Sequence, residues 1–223
     1  MRNDRALCHI LVTGCTLGIA ALANADVVLL SQQRSVTAVA ASTRSSSASD
    51  FSDWSANRLF YQSGVNGYWN GAAQYSSFIP DGATAAGQSV YAEGSVRSEV
   101  FGSTTRASTW TANSTFKFSF RADTANLINI FTSTSATGSG SVVASLKKGS
   151  TTIWTLSSNG NENVEFSLSA GDYDFELVAA SSLDTAGNGG DGSYTLGIGF
   201  TTVPGPSAMA MVALSAFMRR RRS

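Results

Sequence analysis

Three groups of side chains in this 223-residue sequence have the types and spacing that binding or catalytic sites use. The first is a row of carboxylates, Asp172, Asp174 and Glu176, at alternate positions. Alternate residues of a β-strand point to the same face, so a strand here would present all three together to a metal ion or a glycosidic bond. Apolar residues fill the positions between them. That alternation favours the solvated face of an amphipathic strand over a hydrolase site.

The second group consists of oxygen ligands in a glycine-rich segment, Asp184, Asn188 and Asp191. Carboxylate and amide oxygens are the ligands that calcium prefers, so calcium is the one cofactor that the sequence suggests. Their spacing matches no standard calcium loop. Asp and Asn beside glycine are also the residues that tight turns use, so a plain turn is the alternative.

The third group is aromatic and lies between residues 54 and 75, with Asn57, Asn66 and Asn70 interspersed. Aromatic faces stack on sugar rings and amides bond to hydroxyls, which predicts a carbohydrate-binding surface. The alternative is a set of core residues that fills one end of the fold. The residues of this predicted sugar site are Trp54, Tyr68, Trp69 and Tyr75, with Tyr61 nearby.

The N-terminal residues 1–25 have the pattern of a secretory signal peptide. Arg2 and Arg5 precede an apolar stretch, which closes on Ala23-Asn24-Ala25. This small-x-small pattern is the one that signal peptidase accepts, so we expect Ala23 and Ala25 to direct cleavage before Asp26. Val12 to Cys15 also resembles a lipobox, and lipidation of Cys15 is the alternative.

Cleavage would remove Cys8, Cys15 and His9, the only cysteines and the only histidine of the chain. The segment 26–203 would then hold no disulfide, no Cys/His zinc site and no nucleophile activated by histidine. The same segment has 9 Lys and Arg against 14 Asp and Glu, a net charge of −5. We therefore expect no enzyme of the common classes and no nucleic-acid partner.

The C-terminal residues 204–223 combine three features in a fixed order. Val203-Pro204-Gly205-Pro206 is followed by an apolar run from Ala208 to Met218 and by Arg219-Arg220-Arg221-Arg222. A helix from Pro206 to Met218 would be about 20 Å long, short for a bilayer core of about 30 Å. The arginines would hold its end on the cytoplasmic side, which predicts transient anchoring in the inner membrane.

This tail resembles the PEP-CTERM sorting signal of Gram-negative bacteria, although Gly205 stands where that family usually has Glu. The resemblance implies export, then processing by an exosortase-type transpeptidase at the Pro-rich motif. It also implies a place at the cell surface or in the biofilm and exopolysaccharide matrix. The body is similar to uncharacterised domains of the same family in three segments: Gln33 to Val36, Gln74 to Ser77, and Leu168 to Tyr173.

Residues 26–203 form one domain with a period of two in their apolar residues. Phe116, Phe118 and Phe120 alternate with polar residues, and similar rows occur at residues 164–168, 173–177 and 194–200. Residues 147–150 are predicted to form a hairpin turn, and the Ser-rich stretch 42–50 an exposed loop. The segment 51–78 stays unassigned. These patterns predict an all-β, antiparallel, jelly-roll-like β-sandwich.

Together these features predict an exported, non-catalytic protein of the cell surface or matrix. A carbohydrate-binding module for matrix polysaccharide is the alternative function, and a glycan hydrolase that uses the carboxylate row is the third.

Overall fold

The computed structural model describes residues 27–62, 67–78, 89–101, 109–157, 159–184 and 186–202. Within these ranges the chain forms twelve β-strands and no helix. The strands are β1 (Val27–Val39), β2 (Thr43–Ala48), β3 (Trp54–Gln62), β4 (Gly67–Phe78), β5 (Ser89–Phe101), β6 (Trp110–Ala122), β7 (Asn126–Gly138), β8 (Ser141–Lys148), β9 (Thr151–Ser157), β10 (Gly160–Leu168), β11 (Gly171–Leu183) and β12 (Gly190–Thr202).

The strands form two six-stranded sheets that pack face to face. Sheet A has the order β2-β1-β6-β11-β8-β9, and sheet B has the order β10-β7-β12-β5-β4-β3. Every neighbouring pair is antiparallel. The prediction of an all-β fold built from two packed antiparallel sheets is confirmed, whereas jelly-roll-like connectivity stays a prediction. The signal peptide, the sorting signal and the predicted C-terminal helix lie outside the described residues.

The core follows from the period of two in the sequence. Phe116, Phe118 and Phe120 of β6 are at most 2% exposed, and Lys117 and Ser119 between them face outward. Phe118 stacks on Phe175 of the neighbouring strand at 5.3 Å between ring centroids. Phe120 contacts Phe200 of sheet B edge-to-face at 5.1 Å. Burial of these rings holds the two sheets together, because each large apolar side chain contributes about 1.5–3 kcal/mol.

The prediction of a loop for the Ser-rich stretch 42–50 is wrong for most of its length. Residues 43–48 form β2, which pairs with β1 from Arg34↔Ala48 to Val39↔Thr43. Most side chains of β2 are exposed, so this edge strand is held by its backbone pairing and has no apolar face to mark it in the sequence. The predicted turn at residues 147–150 is confirmed between β8 and β9, with Gly149 at a positive φ of 56°.

The segment that joins sheet A to sheet B is held by a buried arginine. Arg34 of β1 is 0% exposed, and its guanidinium donates to the carbonyls of Asp50 at 2.7 Å and Ser52 at 2.6 Å. It also donates to the Ser77 hydroxyl of β4 at 3.0 Å. That hydroxyl in turn donates to the Trp54 carbonyl at 3.1 Å. One side chain therefore ties β1, the crossing segment and the outer strands of sheet B together.

Burial lowers the pKa of Arg34, while Asp50 and Asp53 oppose that shift. A guanidinium stays protonated in proteins even so, and its planar fork suits several carbonyl acceptors at once. The Asp50 carboxylate lies 3.4 Å away and is 70% exposed, so the buried charge is neutralised at the protein surface.

A second tether is a tyrosine corner in the segment Leu168 to Tyr173. The Tyr173 hydroxyl donates to the Ser169 carbonyl at 2.6 Å. Lys148 donates to the Ser169 hydroxyl and the Ala170 carbonyl at 2.6 and 2.7 Å. The segments of Arg34 and Ser77 thus meet in the buried arginine network, and the segment Leu168 to Tyr173 forms this corner. All three have structural roles in this fold.

We predict that Arg34→Met lowers the free energy of unfolding by about 3 kcal/mol, because it leaves the buried Ser77 carbonyl and hydroxyl, and the part-buried carbonyls of Asp50 and Ser52, without this donor. Arg34→Lys keeps the charge but loses the fork and should fall between Arg34→Met and the parent. The control is Arg121→Met, which removes an exposed arginine of the same sheet. Urea unfolding of residues 26–203 measures all three. Equal stability of Arg34→Met and the parent would contradict the role of Arg34.

Candidate functional site

The outer face of sheet B carries a group of aromatic rings. In β4, Asn70, Ala72 and Gln74 are buried against sheet A, so Trp69 and Ala73 point to the other face, where Trp69 is half-buried and Ala73 is 4% exposed. Tyr61 of β3 is paired with Trp69 and is 67% exposed. The remaining rings on this face are those of Tyr75, 56% exposed, Phe131, 47% exposed, and Tyr91, half-buried.

The structure separates the four residues of the predicted sugar site. Trp69 and Tyr75 lie on the outer face of sheet B. Trp54 packs against the core, with the Arg34 guanidinium 5.8 Å from its ring centroid. Tyr68 also faces inward and contacts the Trp110 ring at 5.1 Å. Adjacent residues of a strand point to opposite faces, so Tyr68 and Trp69 could not share one surface.

The asparagines of that segment are separated as well. Asn70 is 0% exposed and bridges the sheets by donating to the carbonyls of Val39 and Thr111 at 3.0 and 3.2 Å. Asn57 is exposed on the outer side of β3, and Asn66 lies outside the described residues. Sequence reasoning missed Tyr91 and Phe131. Both residues occupy outward-facing alternate positions, Tyr91 in β5 and Phe131 in β7. These two strands are far from residues 54–75 in the sequence.

Tyr75 is directed outward by a β-bulge. The register of β4 with β5 passes from Gln74↔Gly94 to Ser76↔Glu93, so Tyr75 is the extra, unpaired residue. Bulges bend a strand and re-aim a side chain, which here brings the Tyr75 ring over β5. Its hydroxyl lies 2.9 Å from the Ser95 hydroxyl.

Next to Tyr75 is an open groove of about 220 Å³ that crosses three strands. Its floor holds the small hydroxyl side chains of Ser95, Ser193 and Ser135, which are aligned across β5, β12 and β7. Neighbouring strands are about 4.8 Å apart, so the hydroxyls form a regular row. Glu93 and Ser133 also line the groove. This is an aromatic wall above a floor of hydrogen-bonding groups.

Trp69 is held at the other end of β4 by a charged cluster. The Arg97 guanidinium lies 5.7 Å from the Trp69 ring centroid, a cation–π distance. Arg97 is bound in turn by Glu99 and by Asp191, the latter at 3.3 Å. Between Trp69 and Tyr75, Leu59 lies across Gly71, where an added Cβ would come within 2.4 Å of the Leu59 Cδ2. Gly71 therefore keeps the surface between the rings flat.

The outer face of sheet B is acidic. The outward positions of its described strands carry Glu93, Glu99, Glu165 and Asp191 against Arg97, four carboxylates and one guanidinium, a net charge of −3. This charge disfavours acidic ligands at low salt and does not oppose neutral ones.

The carboxylate row of β11 lies on the outer face of sheet A, as its alternation predicts. Each carboxylate has a partner on β6: Asp172 pairs with Arg121 at 2.6 Å, Asp174 accepts from Ser119 at 2.6 Å and Glu176 pairs with Lys117 at 2.5 Å. Hydrogen bonding from Arg121 lowers the pKa of Asp172. A glycosidase needs one carboxyl with a raised pKa to protonate the leaving group, which is the opposite shift.

Asp174 and Glu176 also line a groove of about 620 Å³, where Lys117 and Lys147 lie on the two neighbouring strands. Basic side chains therefore lie on both sides of these carboxylates. The groove is therefore lined by solvated side chains of opposite charge and lacks the arrangement of a catalytic acid with its base. The hydrolase interpretation stays the least favoured.

The predicted calcium ligands are engaged within the protein. Asp184 accepts from the backbone and the side-chain amides of Asn188, at 2.9 and 2.8 Å, and these bonds lower the pKa of Asp184. Asp191 points instead to Arg97 on sheet B. Among the residues that the structure describes, no three His, Cys, Asp or Glu side chains are grouped to hold a metal ion. Calcium binding stays a prediction, and the bonds of Asp184 are those of a turn.

No model of a known protein family matches this chain, and no curated protein matches it. Within the described ranges, no helix has the length and apolar composition needed to span a membrane.

Proposed function

We propose that this chain is an exported, non-catalytic protein of the cell surface or extracellular matrix that binds polysaccharide through the outer face of sheet B. The observation that carries the proposal is the arrangement on that face: Trp69 with Tyr61 at one end of β4, Tyr75 at the other, and a row of serine hydroxyls beside Tyr75.

This arrangement suits the chemistry of a sugar chain. A pyranose ring has apolar C–H faces that pack on aromatic rings, and its hydroxyls need hydrogen-bond partners at the edge. Trp69 and Tyr75 are six residues apart along β4, about 20 Å, so the two contacts would engage separate sugar units of one extended chain. Several weak contacts in series are what a long, repetitive ligand requires.

The charge of the face narrows the ligand class. A net charge of −3 opposes polyuronates and other acidic polysaccharides, so the proposed ligand is a neutral glycan. Arg97 does not reverse this preference, because Glu99 and Asp191 already bind it.

Export and sorting are the second part of the proposal and rest on the sequence. Signal peptidase would cut after Ala25, and an exosortase-type transpeptidase would act at Val203-Pro204-Gly205-Pro206 while the arginine cluster holds the tail in the inner membrane. The absence of Cys and His from residues 26–203 supports a non-catalytic role.

We predict that residues 26–203 bind a soluble neutral β-glucan and that Trp69→Ala weakens binding at least about tenfold, or about 1.4 kcal/mol. Tyr75→Ala should weaken it as well. Isothermal titration calorimetry against the neutral glucan and against alginate, a polyuronate, measures affinity and ligand class together.

Val143→Ala is the matched control, since Val143 is an exposed apolar residue on the opposite sheet. Urea unfolding of each variant separates loss of binding from loss of fold. Binding to neither polysaccharide would contradict the proposal, as would Trp69→Ala and Tyr75→Ala variants that bind as tightly as the parent.

Mass spectrometry of the protein from its native host tests export and sorting. We predict termini at Asp26 and between Pro204 and Ser207. A secreted protein that keeps Arg219 to Arg222 would exclude the sorting step, and one that keeps Met1 would exclude the signal peptide.

A further inference from the structure

The two sides of the sandwich differ in how their edge strands are protected from pairing with another chain. On one side, the edges β2 and β3 lie next to each other and protect each other. Arg44 of β2 donates to the Leu59 carbonyl of β3 at 2.6 Å, and Arg58 of β3 donates to the Ser45 carbonyl of β2 at 3.1 Å. Positive side chains and capped carbonyls are recognised ways of blocking an edge from pairing with another chain.

The other side has the edges β9 and β10. The strand β10 carries Glu162 and Glu165, which discourage self-pairing. The strand β9 has the sequence TTIWTLS, without charge, glycine or proline, and four of its seven residues are β-branched. The far side of β9 pairs with no described strand of sheet A. Among the described residues, no side chain caps a β9 carbonyl.

Two apolar side chains are exposed beside this edge. Ile153 of β9 is 37% exposed and Val143 of β8 is 47% exposed, both on the outer face of sheet A. Trp154 and Leu156 face the core, and the Trp154 indole donates to Glu162 at 3.0 Å. The pairing of β9 with β8 is regular from Trp154 to Ser157, beyond a β-bulge that leaves Ile153 unpaired. This regular stretch, with Thr155 near its centre, is the part of the edge that can accept another strand.

We propose that β9 pairs antiparallel with β9 of a second copy of this chain. Two identical strands can pair in this way about a two-fold axis, and the absence of charge in β9 means that no like charges meet. Uncharged strands rich in β-branched and aromatic residues have the composition that favours such pairing. Sheet A would then continue across the dimer as a sheet of twelve strands.

The dimer would be weak, because the regular stretch of β9 is short and a single pair of such strands buries less than a standard protein interface. The outer faces of both B sheets would stay free. Each dimer would therefore present two copies of the aromatic face, an arrangement that raises avidity for a polymer without new contacts.

The test is sedimentation equilibrium of residues 26–203 over a wide range of concentration. This segment is self-contained, because both sheets and their common core lie within residues 27–202. We expect a monomer–dimer equilibrium in which Thr155→Lys weakens association at least tenfold, since two lysines would meet across the axis. Ser47→Lys, on the opposite edge of sheet A, should associate like the parent.

Cysteine variants supply a second measurement that does not depend on a weakened fold, because residues 26–203 contain no cysteine. Thr155→Cys should form a disulfide-linked dimer under mild oxidation and Ser47→Cys should not. A parent that stays monomeric at every concentration overturns the proposal. So does a dimer that Thr155→Lys leaves intact, or cross-linking that is equal at the two positions. None of these outcomes bears on whether a single aromatic face binds a glycan, which Trp69→Ala tests separately.

Discussion

The position of β3 and β4, and with them the aromatic face, depends on one buried guanidinium. Arg34 joins β1 of sheet A to the carbonyls of Asp50 and Ser52 and to Ser77 of β4. These strands lie at the far edge of sheet B. A second polar bridge, from Asn70 to the carbonyls of Val39 and Thr111, holds β4 at its other end. Both tethers lie beneath the strand that carries Trp69 and Tyr75.

A domain that has no disulfide must obtain its stability from packing, and the distribution of contacts here follows from that constraint. Phe116, Phe118 and Phe120 form the centre of the core, and polar bridges fix the periphery where small residues such as Ala72 and Ala73 leave less apolar area. Because the core and the polar bridges lie between the sheets, the side chains on the outer faces are not needed to hold the sheets together. Sheet A carries alternating basic and acidic strands, and sheet B carries the exposed rings.

The sequence predicted the elements whose alternation is regular and failed where one residue breaks it. The rows at Phe116 to Phe120 and Tyr173 to Leu177 have one apolar face and were assigned correctly. Strand β4 has aromatic side chains on both faces, so its sequence lacks the alternation of apolar and polar residues that marks a strand. The bulge at Tyr75 also changes which residues face outward, so the face on which each ring lies could not be inferred. Arg34 was beyond prediction, because its acceptors are carbonyls brought together only by the fold. Trp69 and Tyr75 of the predicted aromatic cluster lie on one face of sheet B, and Tyr91 and Phe131 reach that face through sheet pairing alone.

The most direct test of the central claim uses the four tryptophans of the chain, of which Trp69 is on the outer face of sheet B. Trp54 and Trp154 pack against the core and Trp110 contacts Tyr68. In protein labelled with 5-fluorotryptophan, four ¹⁹F resonances report on these sites during titration with a neutral glucan. A shift of the Trp69 resonance, with the other three unchanged, is the predicted result. A titration in which Trp69 does not move while binding is saturated would contradict the assignment of this face.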